Sequence, residues 1–398
     1  MNDRKSAVDL VYASALWFAS TKVNCHHLAE RLAQEHRVLF VESVGARLPR
    51  FHEWKRLLPR LLRALRPLRK VSPRIWVFSP LPMPLYRGRG AELNSAWVGL
   101  QVKLLLALRR WATCACWVFH PMGLGTARAV RSGALFYYCV DDYSVNPGVE
   151  RSSVRRLEDA LAERADAILV TGEPLLERFR KHGRKVRVMP NVADTELFLM
   201  PSTSQRHAVL DRIGALPSPR IGYVGNLAAY KIDYELVKEI AKARPRWSLV
   251  LVGPVNQGDI QAAIGTDVKL GNVYFLGAIP HRFVPSVIDE FDVCILPSAQ
   301  HDVMLASFPL KFFEYLLRGR PVVARPIPTL RPFASYYAMA NSADDFIAAI
   351  EENLRNRRPD DVAKRVTFAK TFSWTERMKT LRSLRSEVLQ RHGVARSA

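Results

Sequence analysis

Short runs of β-branched and aliphatic residues alternate with helical apolar periods along this chain, and they do so in two successive series. An unbroken apolar run makes a strand buried on both faces, and strands separated by helices pair in parallel, so the pattern dictates doubly wound α/β sheets. The first series opens as a βαβ unit. A strand is expected at 8–14, a helix at 24–35 with Leu28, Ala29 and Leu32 inward, and a buried strand, RVLFVE, at 37–42. Strands follow at 75–78, 117–119, 135–140, 167–171 and 186–190, with helices around 93–111, 153–164 and 174–182. The polar stretch 201–206 and Pro217-Ser218-Pro219 then punctuate the chain. The second series has strands at 221–224, 248–252, 273–275 and 293–296, with helices at 234–243 and 284–290. Two domains in tandem, 1–200 and 201–373, are expected with a cleft between them. A terminal helix within 374–398, with an apolar stripe in WTERMKTLRSLRSEVL, follows.

The length of 398 residues allows two domains, and 48% hydrophobic residues, with 10% aromatic, can fill their cores. A formal charge of +22, from 59 basic and 37 acidic residues, calls for acidic partners such as anionic lipid, nucleotide phosphates or nucleic acid. The 5 cysteines show no zinc-type CxxC spacing and read as reduced core thiols of a cytoplasmic protein. Arg4 and Lys5 precede an apolar run, but Asp9 interrupts it and no small-residue cleavage site follows, so a core strand is expected there rather than a leader. The apolar run 97–108 is broken by Gln101 and Lys103, and nothing reaches the ~20 apolar residues of a spanning helix.

The stretch ASFPLKFFEYLLRGRPVVA, 306–324, holds the densest chemistry. Pro309 suits a first helical turn, Phe312, Phe313, Leu316 and Leu317 form an apolar stripe, and Gly319 with Pro321 ends the helix before a strand. Lys311 and Glu314 share a face near the amino end, where unpaired N–H groups favour an anion such as a diphosphate. Glu314 would accept sugar hydroxyl hydrogens. The plain alternative is a surface Lys311–Glu314 salt bridge.

The segment 47–70 is dense in arginine and lysine, has Glu53 as its one acid, and carries leucines at near-helical spacing. It reads as an interfacial helix on anionic lipid, with Trp54, Lys55, Arg56, Arg60, Arg63 and Arg66 as contacts. A solvated basic helix is the alternative, and without a recognition motif no nucleic-acid partner is expected. Gly123 and Gly125 have the first two glycines of a dinucleotide fingerprint, but Arg128 stands at the third, so no nicotinamide or flavin is expected. His120 and the pair Asp141-Asp142 follow strands, at the carboxyl edge where open α/β sheets take ligands. The adjacent aspartates are not a D-x-D, so no metal site is expected.

The series PNVADTELF (190–198), GYVGNLAAYKID (222–233), SLVLVGP (248–254), NVYFLGAIP (272–280), FDVCILP (291–297) and PLKFFEYLLRGRPVVA resembles the retaining glycosyltransferases of the GT-B fold, the GT4-like group 1 family. The resemblance covers nearly the whole chain and is strongest over 190–324. It implies two Rossmann-like domains facing across a cleft, a nucleotide sugar held by the second and an acceptor held by the first. The family's glycine, arginine, four residues, lysine pattern falls on Gly225, Asn226 and Lys231, so the lysine is present and the arginine replaced. Its two glutamates fall on Ser307 and Glu314, so the ribose acid remains and the sugar acid is lost. The resemblance implies donor contacts at Gly225, Asn226, Lys231, Ser307, Pro309, Lys311 and Glu314. Lys231 would act on the departing diphosphate, and His120 or Asp142 would position the acceptor hydroxyl. The expected activity is metal-independent, cofactor-free transfer, with retention, from a UDP- or GDP-linked sugar to a lipid-linked or surface-polysaccharide acceptor, on the inner face of the membrane. A sugar-nucleotide epimerase and a non-catalytic membrane scaffold are the alternatives.

Overall fold

A computed structural model describes residues 9–19, 23–46, 67–111, 113–130, 133–146, 148–201, 207–255, 271–356 and 358–391. The predicted lipid contacts Trp54, Lys55, Arg56, Arg60, Arg63 and Arg66 lie outside the described residues. Two compact units make up the chain: Met1–Pro190 with Met378–Ala398, and Asn191–Arg377. The divisions fall at 190 and 377, where the sequence reading set 200 and 373.

Unit 1 is built on β1 (Asp9–Ala13), β2 (Arg37–Val41), β3 (Leu68–Ser72), β4 (Ile75–Phe78), β5 (Thr113–Val118), β6 (Ala134–Cys139), β7 (Ala167–Val170) and β8 (Val186–Val188). Its helices are α1 (Asn24–Leu32), α2 (Arg89–Arg109), α3 (Leu124–Ala129), α4 (Arg151–Arg164) and α5 (Glu173–Arg178). The 8-stranded sheet runs β3-β4-β2-β1-β5-β6-β7-β8, parallel except for β3 against β4. β6 and β7 are buried along their whole length, as their unbroken apolar sequences require. The basic segment was expected to stay helical to Lys70, but Leu68–Ser72 is an edge strand. Arg69 reaches the buried Glu42 at 2.8 Å, and Lys70 Nζ lies 4.9 Å over the Trp76 ring. Gly125 serves packing rather than a phosphate: its N–H donates to Ser95 Oγ at 2.8 Å, and a Cβ there would strike the α2 backbone at Ser95.

Unit 2 contains β9 (Arg220–Val224), β10 (Ser248–Val252), β11 (Val273–Phe275), β12 (Val293–Leu296), β13 (Val322–Ala324) and β14 (Ala338–Met339), all parallel, in the order β11-β10-β9-β12-β13-β14. Around it lie α6 (Thr195–Leu199), α7 (Ala208–Gly214), α8 (Tyr234–Ala243), α9 (Val284–Asp289), α10 (Asp302–Ala306), α11 (Lys311–Leu317), α12 (Ala343–Arg355) and α13 (Pro359–Lys370). Phe312, Phe313, Leu316 and Leu317 are buried, as the helical stripe required. Phe313 stacks on Phe308 at 5.4 Å and on Phe372 at 4.3 Å. The last helix, α14 (Trp374–Arg391), joins unit 1 from Met378 on. There Leu381, Leu384 and Val388 are buried, Arg382 bonds Glu35 at 2.8 Å, and Arg385 bonds His36.

Candidate functional site

In unit 2 the strand order changes direction between β9 and β12, because β9 leads outward to β10 and β11 while β12 leads to β13 and β14. The crevice at the carboxyl ends of such strands is where an open sheet receives a ligand. Val224, the last residue of β9, donates its N–H to Tyr315 Oη at 2.9 Å, which ties the strand end to α11. Gly225 leaves the strand with φ 156°, and its N–H donates to Val252 O at 2.8 Å. That N–H belongs to the sheet and is not a phosphate donor. What the glycine supplies is room, since a Cβ there would collide with the Lys311 side chain and the Tyr223 hydroxyl.

Lys311 is the first residue of α11, and its Nζ lies 5.4 Å from the centre of the Tyr223 ring. Burial holds its pKa below the usual lysine value, with Glu314 opposing the shift. A lysine short of water but next to an aromatic face has a deficit of negative charge that a phosphate would fill. Glu314 lies one turn on and is 8% exposed. Its Oε1 is 3.9 Å from His281 Nε2, and this carboxylate raises the His281 pKa against the effect of burial. No motif marks His281, which lies 33 positions before Glu314 in the chain.

The other expected donor contacts divide by geometry. Asn226 spends its side chain on the loop, Oδ1 accepting the Ala228 N–H at 2.9 Å, an Asx turn in place of a long cation. The Lys231 backbone is pinned, its N–H donating to Ala228 O at 2.9 Å and its carbonyl accepting from Ala299 at 3.0 Å. Its ammonium stands 5.6 Å from the Tyr230 ring centre. Asp233 then caps α8 and pairs with Arg325 at 2.5 Å. Pro309 does not open the helix as expected: Leu310 is the cap, and the Pro309 carbonyl accepts from Phe312 N–H at 3.0 Å. Seven residues of α11 offer a short dipole, so Lys311 rather than the helix end is the main positive element. The Ser307 carbonyl accepts from the Thr329 hydroxyl at 2.9 Å. Asn191, from the 190–198 motif, donates to Phe308 O at 3.2 Å and fixes the approach to α11.

In unit 1, His120 is buried, and its Nδ1 accepts the Met122 N–H at 3.1 Å. Its ring lies 4.4 Å from that of Tyr143, and burial lowers its pKa to about 4. The imidazole is therefore neutral with the proton on Nε2, which makes it a hydrogen-bond donor and not a base. Asp142 is held by several neighbours. Its oxygens accept from Arg155 at 2.6 Å, Arg178 at 3.0 Å, and the Ser144 N–H and hydroxyl at 3.0 and 2.6 Å. Arg178 also pairs with the buried Glu158, which accepts from the Tyr137 hydroxyl at 2.5 Å. Asp142 is thus tied into unit 1 by two arginines and a serine, three of these bonds falling on Oδ1 and one on Oδ2.

Residues 218–356 match the family model for Glycosyl transferases group 1. That match falls wholly within unit 2. The match includes Gly225, Lys231, Lys311 and Glu314, so the crevice described above lies inside the matched segment. TuaH of Bacillus subtilis (strain 168), named as a teichuronic acid biosynthesis glycosyltransferase, is 30% identical over 236 residues, 56% of this chain and 57% of its own. The chain thus spans little more than half of that relative. Sucrose-phosphate synthase from Thermosynechococcus elongatus superposes with a TM-score of 0.69 at 17% identity, covering 96% of this chain and 99% of its own. HepE of Anabaena, solved in complex with UDP, gives 0.64 at 18% identity over 94% and 100%. The structural likenesses establish the fold as GT-B.

Proposed function

We propose that this chain is a glycosyltransferase that takes a sugar from a nucleotide-diphosphate donor. The observation that carries the reading is the desolvated Lys311 against Gly225, with Glu314 one turn along, inside the matched segment. Breaking the bond between anomeric carbon and phosphate builds negative charge on the departing diphosphate and positive charge on the sugar ring. Fixed cations at the diphosphate stabilise that transition state more than the ground state. Lys311 and Lys231 supply them, and Glu314 accepts the ribose hydroxyls. His120 supplies an Nε2–H donor to an acceptor hydroxyl, and Asp142, just beyond β6, serves as the alternative.

The acceptor is a lipid-linked or surface-polysaccharide glycan, and the protein works on the inner face of an anionic membrane without metal, with retention at the anomeric carbon. TuaH's name, the charge of +22 and the basic segment 47–70 support the acceptor and the membrane. Incubation with labelled UDP- and GDP-sugars and a membrane extract tests the reading. Labelled glycan or glycolipid supports it. Donor hydrolysed or epimerised without transfer, or left intact by every extract, overturns it.

A further inference from the structure

α2 is apolar on two opposite sides, and the group 1 chemistry uses neither. Its inner side, with Asn94, Val98, Val102 and Leu106, is buried in unit 1. On the outer side Leu93, Trp97, Leu100, Leu104 and Leu108 succeed one another at helical spacing and are 58%, 38%, 46%, 54% and 84% exposed. Ala96 and Ala107 fill the gaps between them. The stripe runs about 22 Å along the helix. The preceding loop lengthens it: Leu81, 50% exposed, accepts the Trp97 indole N–H at 2.8 Å, which holds it beside the stripe. A continuous exposed apolar face of this kind marks an interaction surface.

We infer that this face of α2 lies in the headgroup boundary of an anionic bilayer. The charge around it selects lipid over a second copy of the chain. Arg87 and Arg89 flank the amino end, Lys103 borders the stripe, and Arg109 and Arg110 flank the carboxyl end, all exposed. Glu92, the acid on the helix, is already paired with Arg156 at 3.1 Å. Two such faces brought together would oppose cation to cation, whereas an anionic headgroup plane neutralises every one. The helix carries Arg89, Glu92, Lys103 and Arg109 and is packed on its other side, so only the leucine and tryptophan side chains enter the acyl boundary. The lipid surface is thus met by a described, folded face, independently of the segment 47–70. The inference deepens the membrane part of the proposed function and needs no donor or transfer to be read.

Co-sedimentation with phosphatidylglycerol vesicles and with phosphatidylcholine vesicles tests it. The full chain should sediment with the former, and the double variant Leu100→Glu, Leu104→Glu should partition about tenfold less, with an unchanged melting curve. Should that variant unfold, a Leu104→Cys protein carrying an environment-sensitive dye decides: its emission should shift to the blue on phosphatidylglycerol vesicles. Undiminished partitioning of the folded double variant, or an unshifted dye, overturns the inference. So does a dimer in analytical ultracentrifugation that the double variant dissolves, since the face would then belong to a second copy.

Discussion

The side chain of Lys311 occupies the space that a Cβ on Gly225 would need. Strand end and helix start are thereby packed through one lysine, and the glycine cannot be enlarged without moving it. Gly225→Ala should cost about 1–3 kcal/mol of stability and displace the ammonium. Thermal melting reads the first effect, and weakened nucleotide binding by the folded variant reads the second.

Lys311 is held below the usual lysine pKa by burial, and a diphosphate would push it back up. Donor binding at alkaline pH should therefore be accompanied by proton uptake. Calorimetry in two buffers of different ionisation enthalpy measures it. Lys311→Arg, which stays charged, should abolish the uptake; equal uptake in both proteins would assign the proton elsewhere.

His36 and His120 are both lowered from the ordinary 6.5 to about 4, by burial above all; Arg385 and Arg74 add to this at His36, where Glu35 opposes it. Both are neutral in the fold, so as pH falls the unfolded chain binds protons first. Their contribution is fully present above about pH 6.5 and is lost between there and about pH 4, by about 1–3 kcal/mol for each group at the acid end. Urea unfolding across that range checks the slope. His36→Gln and His120→Asn, the second keeping an acceptor for Met122, should each flatten it.

Asp142 accepts from Arg155, Arg178 and Ser144, and removing its charge takes an ion pair from Arg155 and one of two from Arg178, which keeps Glu158. Asp142→Asn should destabilise unit 1 by about 3 kcal/mol while leaving nucleotide affinity in unit 2 unchanged. A variant with normal melting but lost transfer would assign the acceptor to Asp142.

The buried strands were legible because each is an unbroken apolar run: Ser248–Val252 and Val293–Leu296 lie where the pattern put them. β3 was not. LRKVS, with two cations on a sheet edge, continues the basic composition before it, and solvent on an edge strand removes the apolar signal. Lys311 and Glu314 could be set on one helical face from spacing, since the helix period fixes that locally, whereas Gly225 was marked by the family resemblance. The roles of Asn226, Asp142 and His281 could not. Each depends on partners supplied by the fold, such as Arg178, 36 residues beyond Asp142.

The donor site itself is tested most directly by calorimetric titration of the intact chain with UDP and GDP sugars, alongside Glu314→Ala and Lys231→Ala. Saturable binding of one nucleotide class is predicted for the native protein, weakened about tenfold or more in each variant whose melting curve is unchanged. Affinity equal to native in both variants, or no nucleotide bound by the native chain, would contradict the assignment of a nucleotide-sugar site to this crevice.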